Sequence, residues 1–417
     1  GGYLTMVNHR TGEFRDVNAW PDNPMGHGAE GARYRFQWNF PLLFSPHDAE
    51  TLYAASNVLF RSRDRGASWA AISPDLTRND PSKLGPSGGP ITKDNTSVEY
   101  YGTIFAVAES KLEAGVLWAG SDDGLLQLSK NGGENWQKVT PVGLPEWSMI
   151  NSIDPSPFEK GGAYVAATRY KLDDFRPYLF KTSDYGATWT RIDTGLPVEA
   201  FTRVLRADPE KKGILYAGTE RGVWVSFNDG ASWTSLQLPP KKGGLPIVPV
   251  TDLTVRDGIL IAATQGRGIW ALDDLTVLRQ QEAAGAKVRL LQPAPAWRFG
   301  LSARGGQGSG VGTNPPGGVV VHYELSGVKE GTKLKLEFLD AQGGSLRSFE
   351  GEVRTPAPAP DEVEAAAMGD GPPAATLANE DPPRDKADKK DKDKKDAGKK
   401  KDEPKVPGAP GMNRFAW

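Results

Sequence analysis

Short runs of alternating apolar and polar residues, separated by turns, dominate roughly the first 280 residues. Five segments share one layout, in which an apolar strand rich in small residues turns and continues as an alternating strand. They are TLYAASNVLFRS (51–62), GVLWAGSDDGLLQLS (115–129), GAYVAATRYKLDDFRPYLFKT (162–182), GILYAGTERGVWVS (213–226) and GILIAATQGRGIWAL (258–272). Period-two alternation of this kind predicts short β-strands joined by tight turns.

Further strands are predicted on both sides of these hairpins. Each hairpin is preceded by an apolar run, namely FPLLFSP, TIFAVAES, MINSIDPSP, TRVLRADP and VTDLTVRDG. The first four hairpins are also followed by a short strand such as WQKVTP or WTRIDT. Units of four antiparallel strands therefore recur every 45–65 residues or so, which is typical of β-propeller blades. We expect an all-β chain with about five four-stranded blades and a partial one.

A second motif joins the third and fourth predicted strands of the first four repeats. We call it the Gly-Trp box; its copies are SRDRGASW (62–69), SKNGGENW (129–136), TSDYGATW (182–189) and SFNDGASW (226–233). Its glycines are expected where a turn needs a positive φ, and its tryptophans where a ring is buried between sheets. These residues are Gly66, Gly133, Gly186 and Gly230, and Trp69, Trp136, Trp189 and Trp233.

The carboxylates of the Gly-Trp boxes raise the alternative that each box is an active site. The first and third boxes carry Asp64 and Asp184, whereas the second and fourth carry Asn131 and Asn228 at the same position. A catalytic carboxylate could not tolerate that exchange, but a side chain that accepts hydrogen bonds from turn amides could. We therefore interpret the boxes as scaffold.

The Gly-Trp box is similar to the Asp-box of bacterial neuraminidase-type (BNR) repeats, which occurs in sialidases, xyloglucanases and sortilin-like propellers. Other stretches, including YRFQWNFPLLFSPHD and TQGRGIWALDDL, resemble a bacterial group of sortilin-like proteins often labelled glycosyl hydrolases. The resemblance covers roughly residues 1–280 and implies a larger propeller. Residues 37–283 would hold its later blades, and residues 1–36 the outer strands of a truncated preceding blade.

The pattern changes after about Lys287. PPGGVVVHYEL (315–325) and TKLKLEFLDAQGGSLRSFEG (332–351) predict strands of a partial β-sandwich over residues 287–355, which resembles the Ig-like domain of bacterial hook-capping proteins. Residues 356–411 are rich in Pro, Ala, Lys and Asp and are predicted to be a disordered insert, because they cannot bury enough apolar surface. Residues 412–417 predict a truncated returning strand.

Composition narrows the class of function. A net charge of −2 argues against nucleic-acid binding, and the lack of cysteine excludes disulfides and thiolate chemistry. The four histidines are scattered without metal-ligand spacing, so no metal or other cofactor is expected; they are His9, His27, His47 and His322. No apolar run approaches the roughly 18 residues of a membrane span. The first residues carry no signal peptide, and the resemblance implies an extracytoplasmic bacterial protein, whether periplasmic, surface-bound or secreted.

Strand parity predicts where a ligand would bind. In a four-stranded blade, the second-to-third turn and the connection to the next blade lie on one face, and the Gly-Trp box lies on the other. We call the first the loop-rich face; it collects SDDG, RYKLDDFRP, TERG, TQGRG and the connector 73–102. The candidate ligand-binding residues on it are Asp122, Asp123, Arg169, Tyr170, Asp173, Asp174, Glu220 and Arg267.

Three functions are compatible with these observations. The leading interpretation is a binding protein that holds a peptide, protein or glycan at the loop-rich face, because no catalytic set can be identified. The alternative is a glycoside hydrolase of the xyloglucanase type, which needs two carboxylates about 5–9.5 Å apart. The sequence offers many carboxylates but no way to select the pair, so the catalytic residues stay unassigned. The third is a structural role in a cell-surface assembly.

Overall fold

The computed structural model describes residues 2–22, 25–26, 28–94, 100–237, 244–281, 287–296, 318–355 and 404–417. It divides into two compact units, of which unit 1 is Gly1–Leu275 and unit 2 is Thr276–Trp417. Unit 1 contains the strands predicted from the repeats, and unit 2 contains those predicted after Lys287.

Unit 1 is a run of β-propeller blades, which confirms the predicted fold class. Four four-stranded antiparallel sheets follow one another, each hydrogen-bonded in chain order. A two-stranded pair precedes them, and blade 5 has three strands among the described residues, where the prediction had four. Blade 5 is also the repeat that lacks a Gly-Trp box, so no box hairpin leads to a fourth strand.

The strands of unit 1 are as follows. The pair is β1 (Thr5–Val7) and β2 (Phe14–Asp16); blade 1 is β3 (Leu42–Phe44), β4 (Leu52–Ala55), β5 (Leu59–Ser62) and β6 (Ala70–Ala71); the connector after it holds β7 (Ser87–Gly88) and β8 (Lys93–Asp94). Blade 2 is β9 (Ile104–Glu109), β10 (Leu117–Ser121), β11 (Leu126–Ser129) and β12 (Gln137–Lys138); blade 3 is β13 (Met149–Pro155), β14 (Ala163–Arg169), β15 (Asp174–Thr182) and β16 (Thr190–Arg191). Blade 4 is β17 (Thr202–Ala207), β18 (Leu215–Thr219), β19 (Gly222–Ser226) and β20 (Thr234–Ser235); blade 5 is β21 (Val250–Arg256), β22 (Ile259–Thr264) and β23 (Ile269–Leu272). Short 3-10 helices lie at Ala29–Gly31, Pro81–Lys83 and Tyr170–Leu172.

The first four blades bury a separate apolar cluster at each of their three junctions. The cluster between blades 2 and 3 includes Trp118, Ile150 and Phe180, all nearly inaccessible to solvent. Blades 1 and 2, and blades 3 and 4, share clusters of the same kind. Strands β10, β14 and β18 are buried on both faces because each lies between two neighbouring sheets. Burial of apolar surface between sheets is therefore what holds the run of blades together.

Each boxed tryptophan joins its blade to the preceding sheet. The indole Nε1 donates to the carbonyl oxygen of the residue that directly follows the last strand of that sheet. The four bonds are Trp69 to Val17 (3.0 Å), Trp136 to Ile72 (3.1 Å), Trp189 to Val139 (2.8 Å) and Trp233 to Ile192 (2.7 Å). The β1–β2 pair therefore accepts an indole hydrogen bond from blade 1 in the same way that each of blades 1–3 accepts one from the blade after it.

The boxed glycines are required for two reasons. Gly186 has φ +78° and Gly230 has φ +86°, a region that side chains disfavour. A Cβ on Gly186 would also lie 2.8 Å from Val139, and one on Gly230 would lie 2.7 Å from Ile192. The same preceding-blade residues that accept the indole bonds therefore pack directly against the glycines, and neither position has room for a side chain.

Side-chain hydrogen bonds close each box hairpin. In the third box, Thr182 Oγ1 donates to Asp184 Oδ1 (2.7 Å) and accepts from the Gly186 amide (3.0 Å). Asp184 also accepts from the amide (2.9 Å) and the hydroxyl (2.6 Å) of Thr188. These bonds, led by the one from the Thr188 hydroxyl, lower the pKa of Asp184 from 3.8 to about 2.

The fourth box makes the same closure with a neutral amide. Asn228 Oδ1 accepts from the Ser226 hydroxyl (3.0 Å) and from the Ser232 amide (2.9 Å). The position therefore needs a hydrogen-bond acceptor, not a negative charge, which supports the scaffold interpretation.

Replacing Asp184 with Asn is expected to leave stability at pH 7 nearly unchanged and to reduce the sensitivity to acid. Because the carboxyl group has a folded pKa of about 2, below its ordinary value of 3.8, the stabilisation that it contributes is present above pH 4 or so. That stabilisation is lost as the pH falls towards 2, and Asn does not titrate. Urea unfolding at pH 7 and pH 3 should show a larger loss for the wild type than for the variant. Equal losses would contradict this assignment.

Unit 2 contains a three-stranded and a two-stranded sheet around a shared core. Its elements are α1 (Thr276–Arg279), β24 (Val288–Leu290), β25 (Val320–Leu325), β26 (Lys333–Leu339), β27 (Ser345–Glu352) and β28 (Gly411–Ala416). The sheets are β24-β25-β28 and β26-β27. Tyr323, Phe349 and Phe415 meet in the core, so the two sheets form a small sandwich. Its likeness to an Ig-like domain stays a prediction.

The end of the predicted insert differs from the expectation. Residues 356–403 lie outside the described residues, whereas residues 404–411, which the prediction included in the insert, are described. Val406 is buried in the core of unit 2, and its amide donates to the Glu350 carbonyl at 2.9 Å. The returning strand begins at Gly411, one residue before the predicted start.

Candidate functional site

A cavity of about 470 Å³ lies on the loop-rich face, between the loops of blades 2 and 3. It is lined by Lys83, Tyr101, Asp122, Trp147, Met149, Thr168, Arg169, Tyr170, Lys171 and Leu172. This volume falls within the range of about 300–1,000 Å³ that is usual for small-molecule sites.

Strand parity explains why these residues meet. Asp122 lies in the turn between β10 and β11, and the 3-10 helix Tyr170–Leu172 lies in the equivalent turn between β14 and β15. Tyr101 lies in the connection that enters blade 2, and Trp147 in the one that enters blade 3. In a four-stranded antiparallel sheet, the turn after the second strand and the connections to the neighbouring blades lie on the same side. The predicted geometry of the face therefore brings together residues far apart in sequence.

One wall of the cavity is aromatic. Tyr101 stacks on Trp147 with ring centroids 6.3 Å apart and an interplanar angle of 26°. The guanidinium of Arg78 lies 4.4 Å from the Trp147 ring centroid. Trp147 itself has φ +64°, an unusual value for a bulky residue, so surrounding structure must hold it in place. Gly124 contributes to this, since a Cβ there would lie only 3.0 Å from the Ser148 carbonyl oxygen.

A second aromatic group lies across the cavity on the blade 3 turn. The ring of Tyr170 stacks on Phe201, with centroids 4.8 Å apart and an interplanar angle of 14°. Arg203 lies 5.5 Å from the Tyr170 ring centroid, and its guanidinium pairs with Glu220 at 2.8 Å. Glu220 therefore orients Arg203, and Arg203 and Phe201 together support Tyr170.

The polar groups of the cavity include a buried carboxyl group. Asp122 is 3% exposed; its Oδ1 accepts from the Thr103 amide and its Oδ2 from the Thr103 hydroxyl, each at 2.8 Å. Burial raises the pKa of Asp122 to about 6, against the effect of these hydrogen bonds, and the neighbouring Asp123 adds to the rise. The carboxyl group is therefore partly protonated in mildly acidic solution.

Thr168 provides a polar group with an unused hydrogen-bonding capacity. Its side chain lines the cavity and the residue is 1% exposed. Its Oγ1 has no hydrogen-bond partner within the described part of the chain. A buried hydroxyl without a partner is costly, and this oxygen is closed off from solvent.

The structure separates the eight candidate residues into groups. Asp122, Arg169 and Tyr170 line the cavity. Asp123 and Asp174 are buried like Asp122 but do not line the cavity. Glu220 acts through Arg203, Asp173 is exposed at the end of the 3-10 helix, and Arg267 is exposed on the turn of blade 5.

The carboxylates of Asp123 and Asp174 are held by local hydrogen bonds. Asp123 accepts from the Ser121 hydroxyl (2.5 Å) and from the Arg78 amide (2.8 Å). Asp174 accepts from the Arg176 guanidinium, and its other oxygen also accepts from the Tyr178 hydroxyl (2.6 Å). The Arg176 bonds, followed by that of Tyr178, lower the pKa of Asp174. Both carboxylates have their oxygens committed to the scaffold.

Sequence reasoning had not singled out Trp147, Tyr101, Thr168, Lys83 or Lys171. Tyr101 and Lys83 lie in the connector that had been assigned to this face, and Lys171 lies within the RYKLDDFRP turn. Trp147 carried the clearest available signal, because it is a tryptophan outside any Gly-Trp box and directly before a predicted strand.

No cluster of three or more His, Cys, Asp or Glu side chains that could hold a metal ion occurs among the described residues. The helices that the structure describes are also all too short or too polar to cross a membrane.

Known proteins resemble the chain over part of its length. No family model matches it. It is 25% identical over 174 residues to xyloglucanase Xgh74A of Acetivibrio thermocellus, covering 37% of this chain and 20% of that protein. It is also 25% identical over 155 residues to a xyloglucanase of a Paenibacillus species, covering 34% of this chain and 15% of that protein. The matches therefore span about a fifth or less of the length of these curated relatives.

Among solved structures, a crystal structure of an ancestral GH74 enzyme aligns with a TM-score of 0.41 and 16% identity. That alignment covers 80% of this chain and 39% of the enzyme. In sequence, the chain is similar to xyloglucanases over about a third of its length.

Proposed function

We propose that the chain binds a polysaccharide segment in the cavity on the loop-rich face. The observation that carries this proposal is the aromatic surface that the Tyr101–Trp147 pair and Tyr170 present around a cavity of about 470 Å³. The similarity to proteins named xyloglucanases supports a saccharide ligand over a peptide or protein. A saccharide ligand also favours a site of action outside the cytoplasm.

The chemistry of a sugar ring fits these walls. One face of a pyranose carries C–H groups, which pack against the electron-rich face of an aromatic ring. The edge of the ring carries hydroxyl groups that need hydrogen-bond partners. Tyr101, Trp147 and Tyr170 offer aromatic surface, and Arg169 and Lys171 offer N–H groups that can donate to sugar hydroxyls.

The proposal predicts measurable binding by the unmodified chain. Titration calorimetry at pH 7 with neutral and acidic β-linked or α-linked oligosaccharides should find at least one ligand with Kd below about 1 mM. Xyloglucan heptasaccharide, cellotetraose and trigalacturonate are suitable probes, with sucrose as the small-sugar control. If none of them binds, the proposed function is wrong.

Glycoside hydrolysis is a second candidate, favoured by the raised pKa of Asp122. A carboxyl group with a pKa of about 6 can donate a proton to a leaving oxygen, as the general acid of a glycosidase does. Hydrolysis needs a second carboxylate within about 5–9.5 Å of the first. The adjacent Asp123 is a poor choice, because both its oxygens accept bonds from Ser121 and Arg78.

Reducing-sugar release distinguishes the two candidates. If the chain only binds, xyloglucan incubated with it at pH 6 should release no more reducing sugar than a buffer control. Release that is abolished by Asp122→Asn, with binding retained, would favour hydrolysis. The Asn side chain keeps an oxygen for the Thr103 amide, so the fold should survive the substitution.

A further inference from the structure

The cavity carries an excess of positive charge. Lys83, Arg169 and Lys171 line it, and Asp122 is the acidic residue among its lining residues. Within the described part of the chain, neither Lys83 nor Lys171 lies within ion-pair distance of a carboxylate. Lys83 does approach an aromatic wall, with Nζ 6.0 Å from the Trp147 ring centroid. Hydrogen bonds from Ser82 and, to a smaller extent, the charge of Lys83 lower the pKa of Asp80, so a carboxylate lies near Lys83, whereas Lys171 makes no ion pair among the described residues.

Arg169 adds a third cation whose guanidinium is incompletely used. Its Nε donates to the Glu146 carbonyl oxygen at 3.1 Å, and its Nη1 lies 3.7 Å from Asp174 Oδ2. These two contacts fix the direction of the side chain. They leave donor capacity on the guanidinium, which is a good partner for a planar anion because it presents several N–H groups in one plane.

The one acidic lining residue does not neutralise these cations. Asp122 is 3% exposed and both its oxygens accept bonds from Thr103, on the side away from solvent. Its burial also disfavours the charged form. Among the lining residues, three cations accompany one acidic group that is bonded to the scaffold, and Arg169 also has the Asp174 carboxylate 3.7 Å away.

We propose that the ligand of this cavity is an acidic saccharide, whose carboxylate or sulfate group is held by Lys171, Arg169 and Lys83 while its ring packs on Trp147. This inference rests on the proposed function and narrows its ligand class. Neutral glucans offer hydroxyl groups, which form weaker hydrogen bonds with ammonium and guanidinium groups than anionic groups do. An anionic group forms charge-assisted hydrogen bonds with them, which are shorter and stronger than neutral ones.

A matched pair of ligands tests the charge of the saccharide. Trigalacturonate and its methyl ester have the same sugar skeleton, and the ester has no negative charge on its carboxyl groups. In titration calorimetry at pH 7 and low salt, the acid should bind at least about 10-fold more tightly than the ester. Raising NaCl to 0.5 M should weaken binding of the acid and leave binding of the ester nearly unchanged, because salt screens charges. A sulfated oligosaccharide, tested in parallel, tells whether carboxylate or sulfate is preferred.

Two variants test whether the anionic group binds in the cavity. Lys171→Gln and Lys83→Gln, both at exposed positions, should each lower the affinity for the acid by at least about 3-fold without changing the affinity for the ester. Lys138→Gln is the matched control, because Lys138 is an exposed lysine on the outer strand of blade 2, and it should change neither affinity.

The outcomes separate this inference from the proposed function. Equal binding of acid and ester, or tighter binding of neutral xyloglucan heptasaccharide, overturns the charge inference and leaves the saccharide site standing. A preference for the acid that Lys171→Gln and Lys83→Gln do not reduce also overturns it. Failure of every saccharide overturns both, and in that case binding of oligo-glutamate would indicate an acidic peptide as the ligand.

Discussion

Replacing Trp233 with alanine is expected to lower the free energy of unfolding by about 3–5 kcal/mol. The residue is 8% exposed and packs in the apolar cluster between blades 3 and 4. Its Nε1 donates to the Ile192 carbonyl oxygen at 2.7 Å. Alanine would leave a cavity between two sheets and a carbonyl group without its partner, and both effects destabilise the junction.

Urea unfolding followed by far-UV circular dichroism measures this loss. Trp189→Ala should cost about 3 kcal/mol, at the lower end of the range, because that ring is only partly buried. Trp38→Ala is the control; it is a 69% exposed tryptophan outside any box, and a cost below about 1 kcal/mol is expected. Losses below 1 kcal/mol for both boxed tryptophans would mean that the boxes do not join the blades.

Trp147→Ala is expected to weaken saccharide binding at least about 10-fold, which corresponds to 1.4 kcal/mol. The substitution removes the aromatic surface that Tyr101 and Arg78 hold in place on one wall of the cavity. The fold should persist, because Trp147 belongs to no apolar cluster that the described residues form between blades and to no Gly-Trp box.

Calorimetry with the tightest saccharide ligand measures the effect of Trp147→Ala. Trp38→Ala serves again as control and should bind as the wild type does, because Trp38 does not line the cavity. Unchanged affinity in a folded Trp147→Ala variant would contradict the location of the site.

The fold could be predicted from the sequence because the residues that determine each blade lie close together within its repeat. Alternation fixed which residues face a neighbouring sheet, and the Gly-Trp box marked the hairpin that meets the preceding blade. The boxed glycine is required for two reasons: its φ is positive, and Val139 or Ile192 of the preceding blade packs against it. Such constraints leave a clear pattern in a single sequence.

The candidate site could be predicted only to the level of the face. Parity placed the correct loops together, but polar residues within one turn have different roles that composition does not reveal. In SDDG, Asp122 lines the cavity whereas Asp123 accepts bonds from Ser121 and Arg78. Which carboxylate turns inward depends on donors 45 residues away in sequence, such as the Arg78 amide.

Aromatic residues in irregular loops are equally hard to assign. Trp147 follows no strand or helix periodicity, and its position depends on a positive φ and on the lack of a side chain at Gly124. These are tertiary constraints. In unit 2, the position of residues 404–411 likewise depends on the burial of Val406 against strands distant in sequence.

Hydrogen exchange with and without a saturating oligosaccharide tests the central claim most directly, since the claim assigns recognition and scaffolding to opposite faces. Peptides covering residues 144–149 and 168–173, which border the cavity, should exchange more slowly with ligand bound. Peptides covering the box hairpins 182–189 and 226–233 should exchange at the same rate in both states. Protection of the box hairpins, with no change at the cavity loops, would contradict the account.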